Sequence, residues 1–363
     1  MRVLVVATVQ HPLDARVCAR EIGALLAAGH EVTYAAAFHD VDVAPPAGVL
    51  PVNVPRAQGR RRAGALRAAR RVLRRHAASH DVVLLHGPEV MLAASGLRHP
   101  CIVWDVHEDT GAALGMKPWL PAPLRPLAAR GVDAAESYAA RNYHLLIAEA
   151  AYADRFPDAD PVMVPNTPVV PRSVPGSARG RAVYVGDLSV ARGVDEIIAV
   201  GRLLSPDVSV EVIGAARPPI AERLRAATQA GWIDWRGYLP NDEALARVEG
   251  ATAGLSLLHD EPNYRHSMPT KLYEYLARGV PFVSTPLPLA RRLAQDSGGG
   301  VIVPFGDAAG AAQAVRDLAG DDARRQGMAD SGRAWVSEHA NWERDGERFV
   351  RQLEAWAAAG APT

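Results

Sequence analysis

Lysine is nearly missing from this chain of 363 residues: Lys117 and Lys271 stand against 38 arginines. A compact ammonium where guanidinium is the habit marks a position worth following. Cysteine is equally scarce. Cys18 and Cys101 are too few for a disulfide framework or a four-ligand zinc site, which makes a reducing cytoplasm the simplest expectation. Net charge is missing too, since Lys+Arg and Asp+Glu both number 40. That excludes a global pull toward nucleic acid, so any electrostatic targeting has to be local. No apolar run approaches the ~18 residues of a membrane span. The opening run Met1–Val9 stops at Gln10-His11-Pro12, too short for a secretory leader, and reads as a buried first strand. The turn after it, Thr8 to Arg16, has none of the glycines of a G-x-G-x-x-G fingerprint. A dinucleotide cofactor on the first strand is thereby disfavoured.

What is present is a 48% hydrophobic chain, long enough for two domains at about 150 residues each. Short Val/Ile/Leu runs alternate with amphipathic helical stretches, the pattern of parallel sheets covered on both faces. Strands are expected near 3–8, 31–37, 49–54, 81–85, 101–105, 144–148 and 161–164. In the first helix Asp14 can cap, Cys18, Ile22, Leu25 and Leu26 share a face, and Gly29 suits a left-handed terminus. The proline-rich stretch 165–180 reads as a linker. Beyond it the pattern restarts at Ala182-Val183-Tyr184-Val185-Gly186, with strands near 208–213, 253–258, 281–284 and 300–303. The expected domains are 1–170 and 171–340, with a helix at about 341–358 packing back on the first. Such tandem doubly wound domains bind ligands at the carboxyl ends of their strands.

Two turns in the second domain stand out. Gly186-Asp187-Leu188 leads to Arg192-Gly193-Val194-Asp195, where an arginine and free helix-start amides make an anion corner suited to a diphosphate. The bland alternative is one more arginine on a solvated surface. His259-Asp260-Glu261-Pro262-Asn263-Tyr264-Arg265-His266 then leads into a helix at about 270–278 carrying Lys271 and Glu274. A carboxylate at 274 suits two sugar hydroxyls, and the alternative is an i,i+3 surface ion pair with Lys271.

The pattern Pro269-x-Lys271-Leu272-x-Glu274-Tyr275-x-Ala277-x-Gly279-x-Pro281 resembles glycosyltransferase family 4. Gly186 with Arg192-Gly193, Gly29-His30-Glu31-Val32, Asp105-x-His107-Glu108, Pro165-Asn166, Gly237-Tyr238-Leu239 and Asn341-Trp342-Glu343 extend the resemblance over nearly the whole chain. It implies the GT-B fold, an α/β architecture of two Rossmann-like domains. It also implies a retaining, hexosyl-type transfer from a nucleotide diphosphate sugar, with no cofactor and no metal. By that resemblance Glu274 holds the donor ribose, Arg192 and Lys271 hold the diphosphate beside Gly186 and Gly193, and Tyr238 meets the base. His107 lies near the donor sugar, and His11, Asp14, Arg16, Asp105 and Glu108 lie on the acceptor or sugar side. For Asp14 a helix cap, and for Arg16 simple exposure, are the bland readings. Two departures stand out. The first glutamate of the family's E-x7-E motif is His266 here, with Asp260, Glu261 or Asn263 as substitutes. The basic residue usual after the Gly186 position is Asp187.

No carboxylate pair at glycosidase spacing is evident, so the resemblance implies front-face substitution with the leaving phosphate taking the acceptor's proton. Epimerisation of a nucleotide sugar, or a non-catalytic transferase-like partner subunit, are the competing readings. The acceptor class stays open among small molecule, glycan and lipid-linked sugar. Between Arg56 and Arg75 lie nine arginines and no acidic residue. That stretch, joined by Trp119-Leu120-Pro121, offers peripheral contact with the inner face of an anionic membrane. The alternative is an ordinary helix with a solvated basic face. The alanine- and arginine-rich usage hints at a GC-rich bacterial gene.

Overall fold

The computed structural model describes residues 1–106, 125–178 and 180–360. His107, Glu108, Lys117 and the Trp119-Leu120-Pro121 segment lie outside the described residues. The chain divides into two units, Met1–Asn166 with Glu343–Thr363, and Thr167–Trp342.

The first unit is built on seven parallel strands: β1 (Arg2–Ala7), β2 (Glu31–Ala36), β3 (Val49–Asn53), β4 (Val82–His86), β5 (Ile102–Val106), β6 (His144–Ile147) and β7 (Val162–Met163). Their order is β3-β2-β1-β4-β5-β6-β7, so the winding reverses between β1 and β4. Both faces of the central strands are buried, which is why β1 and β4 read as unbroken apolar runs. Trp104, Leu85 and Val6 pack with Leu73 of the Arg62–His76 helix on one side. The helix Trp342–Ala359 supplies Phe349 and Leu353, both fully buried, to this unit's end of the chain. Its Trp356 stacks on His144 at 4.6 Å between ring centres.

The second unit holds six parallel strands: β8 (Arg181–Val185), β9 (Ser209–Ile213), β10 (Asp234–Gly237), β11 (Ala253–Ser256), β12 (Phe282–Ser284) and β13 (Gly300–Ile302). Their order is β10-β9-β8-β11-β12-β13, which puts the reversal between β8 and β11. Alternate residues of β8 go to opposite faces: Ala182 and Tyr184 to one core with Val194 and Ile197, Val183 to another with Leu272, Tyr275 and Phe282. The Thr270–Ala277 helix is anchored by the fully buried Leu272, Tyr275 and Leu276, and the Tyr275 hydroxyl donates to the Leu255 carbonyl at 3.1 Å. That anchoring fixes which way the remaining face of the helix points.

Sequence periodicity places twelve of these strands to within two residues and misses β10. Asp234-Trp235-Arg236-Gly237 is a partly exposed edge strand without an apolar run, so it carries no such signal.

Candidate functional site

The turn after β8 and the loop after β11 flank the reversal point of the second sheet, where doubly wound folds bind ligands. The β8 turn is made possible by glycine. Gly193 has φ 78° and caps the Val194–Leu204 helix, and a Cβ there would lie 2.0 Å from the Leu257 carbonyl oxygen. No other residue allows the β8 turn and the end of β11 to approach so closely. The two segments are then stitched together. His259 donates its backbone N–H to Ala191, and its Nε2 lies 3.0 Å from Glu196 on the helix after Gly193.

Into this corner projects Lys271, one residue into the Thr270–Ala277 helix. Its Nζ is sealed from solvent, has no hydrogen-bond partner among the described residues, and rests 3.7 Å from the centre of the Tyr184 ring. Gly186, with φ 133°, leaves it room, since a Cβ at that residue would come within 3.2 Å of Nζ. Burial drives the ammonium well below the ordinary lysine range, and the Arg192 charge pushes the same way. Asp187, which opposes both, is itself exposed. Arg192 is half-buried. Burial opposes its charge, while Tyr184, Tyr264 and Asp187 sustain it, and Tyr264 also hydrogen-bonds it. Two cations thus meet at one strand end, one of them buried and unpartnered. Such an arrangement is costly unless an anion completes it.

The structure overturns both bland readings for these residues. Arg192 is not a solvated surface arginine, and Lys271 does not pair with Glu274. Glu274 is buried and accepts from Arg278 Nη1 at 2.7 Å, one helical turn on. In the loop before, Asp260 is exposed and held bidentate by Arg265 at 2.7 and 2.9 Å. His266 is exposed at the end of the short Pro262–Arg265 helix, with Glu261 and Asn263 half-buried on the same turn. Tyr238 is half-exposed just past Gly237, which has φ 72°.

The first unit gathers charge at the corresponding strand ends in a different way. Asp14 caps the Ala15–Ile22 segment, accepting from the N–H groups of Arg16 and Val17 at 2.9 and 3.0 Å. His11 Nδ1 accepts from the Leu13 N–H. Arg16 is buried, not exposed, and forks onto Asp105 at 2.7 and 2.6 Å, with further bonds to the Val164 carbonyl and Asn166 Oδ1. Glu21 stands 3.0 Å from Arg16 Nε, and His86 bridges Glu21 at 3.3 Å and Asp105 at 3.2 Å. Burial and then Asp105 raise the Glu21 carboxyl well above its usual range. Glu21, His86 and Asp105 lie close enough to resemble a metal ligand set, but the Arg16 guanidinium supplies the cation in their midst. The arrangement is an ion cluster centred on Arg16 that ties the Ala15–Ile22 segment to β4, β5 and the end of β7.

Sequence reasoning named Arg16 and Asp105 but missed Glu21 and His86. Ala15–Ile22 winds as a π-helix. Positions five apart diverge by about 140° on an α-helix, whereas i to i+5 winding brings them onto one side, so only the π turn joins Arg16 to Glu21.

Residues 179–321 match the family model described as "Glycosyl transferases group 1". No curated protein matches the chain in sequence. Among solved structures it is similar to sucrose-phosphate synthase from Thermosynechococcus elongatus, with a TM-score of 0.77 at 14% identity over 99% of each chain. It is similar to WaaG, a glycosyltransferase involved in lipopolysaccharide biosynthesis, with a TM-score of 0.70 at 15% identity over 97% of this chain and 99% of that one. HepE from Anabaena, solved in complex with UDP-glucose, aligns with a TM-score of 0.71 at 14% identity over 98% of this chain and 100% of that one. The two parallel-sheet units are those of the GT-B fold, and the group 1 glycosyltransferase match falls within the second unit, at residues 179–321.

Proposed function

We propose that the chain transfers a hexosyl-type sugar from a uridine diphosphate sugar, with retention and without a metal. The observation that carries this reading is the buried, unpartnered Lys271 Nζ beside Arg192 at the reversal point of the second sheet. A diphosphate supplies the missing anion, and the binding of UDP-glucose by HepE supports uridine as the base. Glu274, already oriented by Arg278, then faces the ribose, and Tyr238 the base. His266 and its neighbours Glu261 and Asn263 contact the transferred sugar.

As the bond from the anomeric carbon to the leaving phosphate oxygen breaks, positive charge spreads over the sugar and negative charge grows on the diphosphate. Lys271 and Arg192 stabilise that growing charge more than the ground state, so they act on turnover. The acceptor hydroxyl bonds to the anomeric carbon from the face the phosphate leaves, and its proton passes to the departing phosphate oxygen. The products are the glycosylated acceptor and the nucleoside diphosphate.

Incubation with a panel of nucleotide sugars tests the reading. Slow release of nucleoside diphosphate, unchanged by a chelator, is the expected result. Isomerisation without release would make the chain an epimerase, and inertness toward every donor would make it a partner subunit.

For the acceptor, we propose a lipid-linked sugar at an anionic membrane surface. Among the described residues no helix is long and apolar enough to cross a membrane. The Arg62–His76 helix buries Ala65, Ala69 and Leu73 and leaves Arg67, Arg70, Arg71, Arg74 and Arg75 exposed, four of them around a surface hollow of about 480 Å³. Docking is worth about 1 kcal/mol per arginine near the surface. Sedimentation with anionic vesicles at low salt is expected, and its absence there would favour a small soluble acceptor.

A further inference from the structure

We infer that Tyr184 is a positioning residue for the donor phosphates, its ring acting as the shelf on which Lys271 waits. The inference rests on the donor reading above and deepens it. Tyr184 lies in the middle of β8 and is fully buried. Its two ends do separate things. The ring face lies 3.7 Å from Lys271 Nζ, close for a cation over an aromatic quadrupole. The hydroxyl donates to the Asp187 carbonyl at 2.8 Å and so pins the turn that follows Gly186. One side chain therefore fixes both the cation and the backbone corner it serves.

The need for a shelf follows from what else faces Nζ. Arg192 repels the ammonium, Asp187 attracts it from an exposed position, and Tyr264 is occupied with Arg192. Among the described residues no carboxylate or carbonyl accepts from Nζ. A conventional ion pair would hold the lysine, but a diphosphate would then have to displace the carboxylate. An aromatic face holds the cation weakly, without offering a competing anion, and gives it up at no cost in broken hydrogen bonds. The flexible lysine stem makes this parking possible where a planar guanidinium would demand in-plane acceptors. This accounts for one of two lysines in a chain that otherwise uses arginine.

Isotopic labelling of lysine at Cε reads the contact directly, because the chain gives only two lysine signals, assigned through Lys271→Arg. In the wild type the Lys271 Cε protons are expected upfield of random coil through the Tyr184 ring current, and Lys271 is expected to titrate below the ordinary lysine range. Tyr184→Phe keeps the ring and is expected to preserve the shift and the titration, and to weaken UDP by less than the Leu variant does, through loss of the hydroxyl bond to the Asp187 carbonyl alone. Tyr184→Leu removes it: the upfield shift disappears, the titration midpoint falls further, and UDP binds roughly tenfold more weakly. A Leu variant with wild-type titration and UDP affinity, or a Phe variant as impaired as Leu, would overturn the inference. Should the Leu variant fail to fold, the wild-type spectrum still decides, since random-coil Cε shifts mean no shelf. A wild type that shows the ring-current shift but binds no UDP would instead refute the donor reading.

Discussion

Each unit buries charge at the carboxyl ends of its central strands, and the two clusters are opposite in kind. In the first unit Arg16 is surrounded by Asp105, Glu21 and His86, and its fork is fully engaged. In the second unit Lys271 is buried among Tyr184, Gly186 and Arg192, and no described residue accepts from it. A closed cluster is a structural fastener, because breaking it strands a charge. An open one stores destabilisation that a ligand of opposite charge relieves. Position in the fold is therefore a poor guide to function, and completeness of pairing is a better one.

The largest effect is expected in the first unit. Arg16→Ala leaves Asp105 and Glu21 facing each other without a cation, at a cost of about 3–5 kcal/mol. Thermal melting is expected to fall by on the order of 10 °C, and an unchanged midpoint would show that the cluster fastens nothing. Glu21→Gln should cost less than Asp105→Asn, because burial and Asp105 both oppose the Glu21 charge, whereas Asp105 carries the Arg16 fork. Equal losses in the two variants would contradict that assignment.

In the second unit effects shift from stability to binding. Glu274→Gln is expected to weaken UDP roughly tenfold or more while leaving the affinity for inorganic diphosphate unchanged, since the carboxylate serves the ribose. Equal loss for both ligands, measured by calorimetry, would make Glu274 only a partner of Arg278. The smallest effect belongs to the exposed His266. His266→Glu should alter relative rates among donor sugars and spare UDP affinity, and an unchanged donor profile would mark it as a bystander.

The sequence made the sheets legible because strands buried on both faces must be apolar throughout, and the corner legible because its residues fall in two short segments. Arg192 and Lys271 could be named from the rarity of lysine and the Gly186 and Gly193 turns. What was hidden required distance or winding. The fastener joins the π turn of Ala15–Ile22 to β4, β5 and the end of β7, and neither Glu21 nor His86 carries a local signal of burial. The Tyr184 shelf was hidden for the same reason, since an alternating strand residue reads as core whichever side chain rests on it.

Lys271 is on this reading a strained cation reserved for an anion, and one variant tests both properties. Lys271→Met, followed by calorimetry with UDP and by melting without it, should bind UDP roughly 10- to 100-fold more weakly. Unliganded, it should melt higher than the wild type. The sign follows from the depressed native value. Folding opposes the ammonium at neutral pH, and that penalty fades as pH climbs toward the ordinary lysine value near 10.4. The gain in melting temperature should therefore grow as pH falls below the ordinary lysine value and vanish above it. Wild-type affinity for UDP together with a lowered melting temperature would show Lys271 to be a structural residue and place the diphosphate elsewhere.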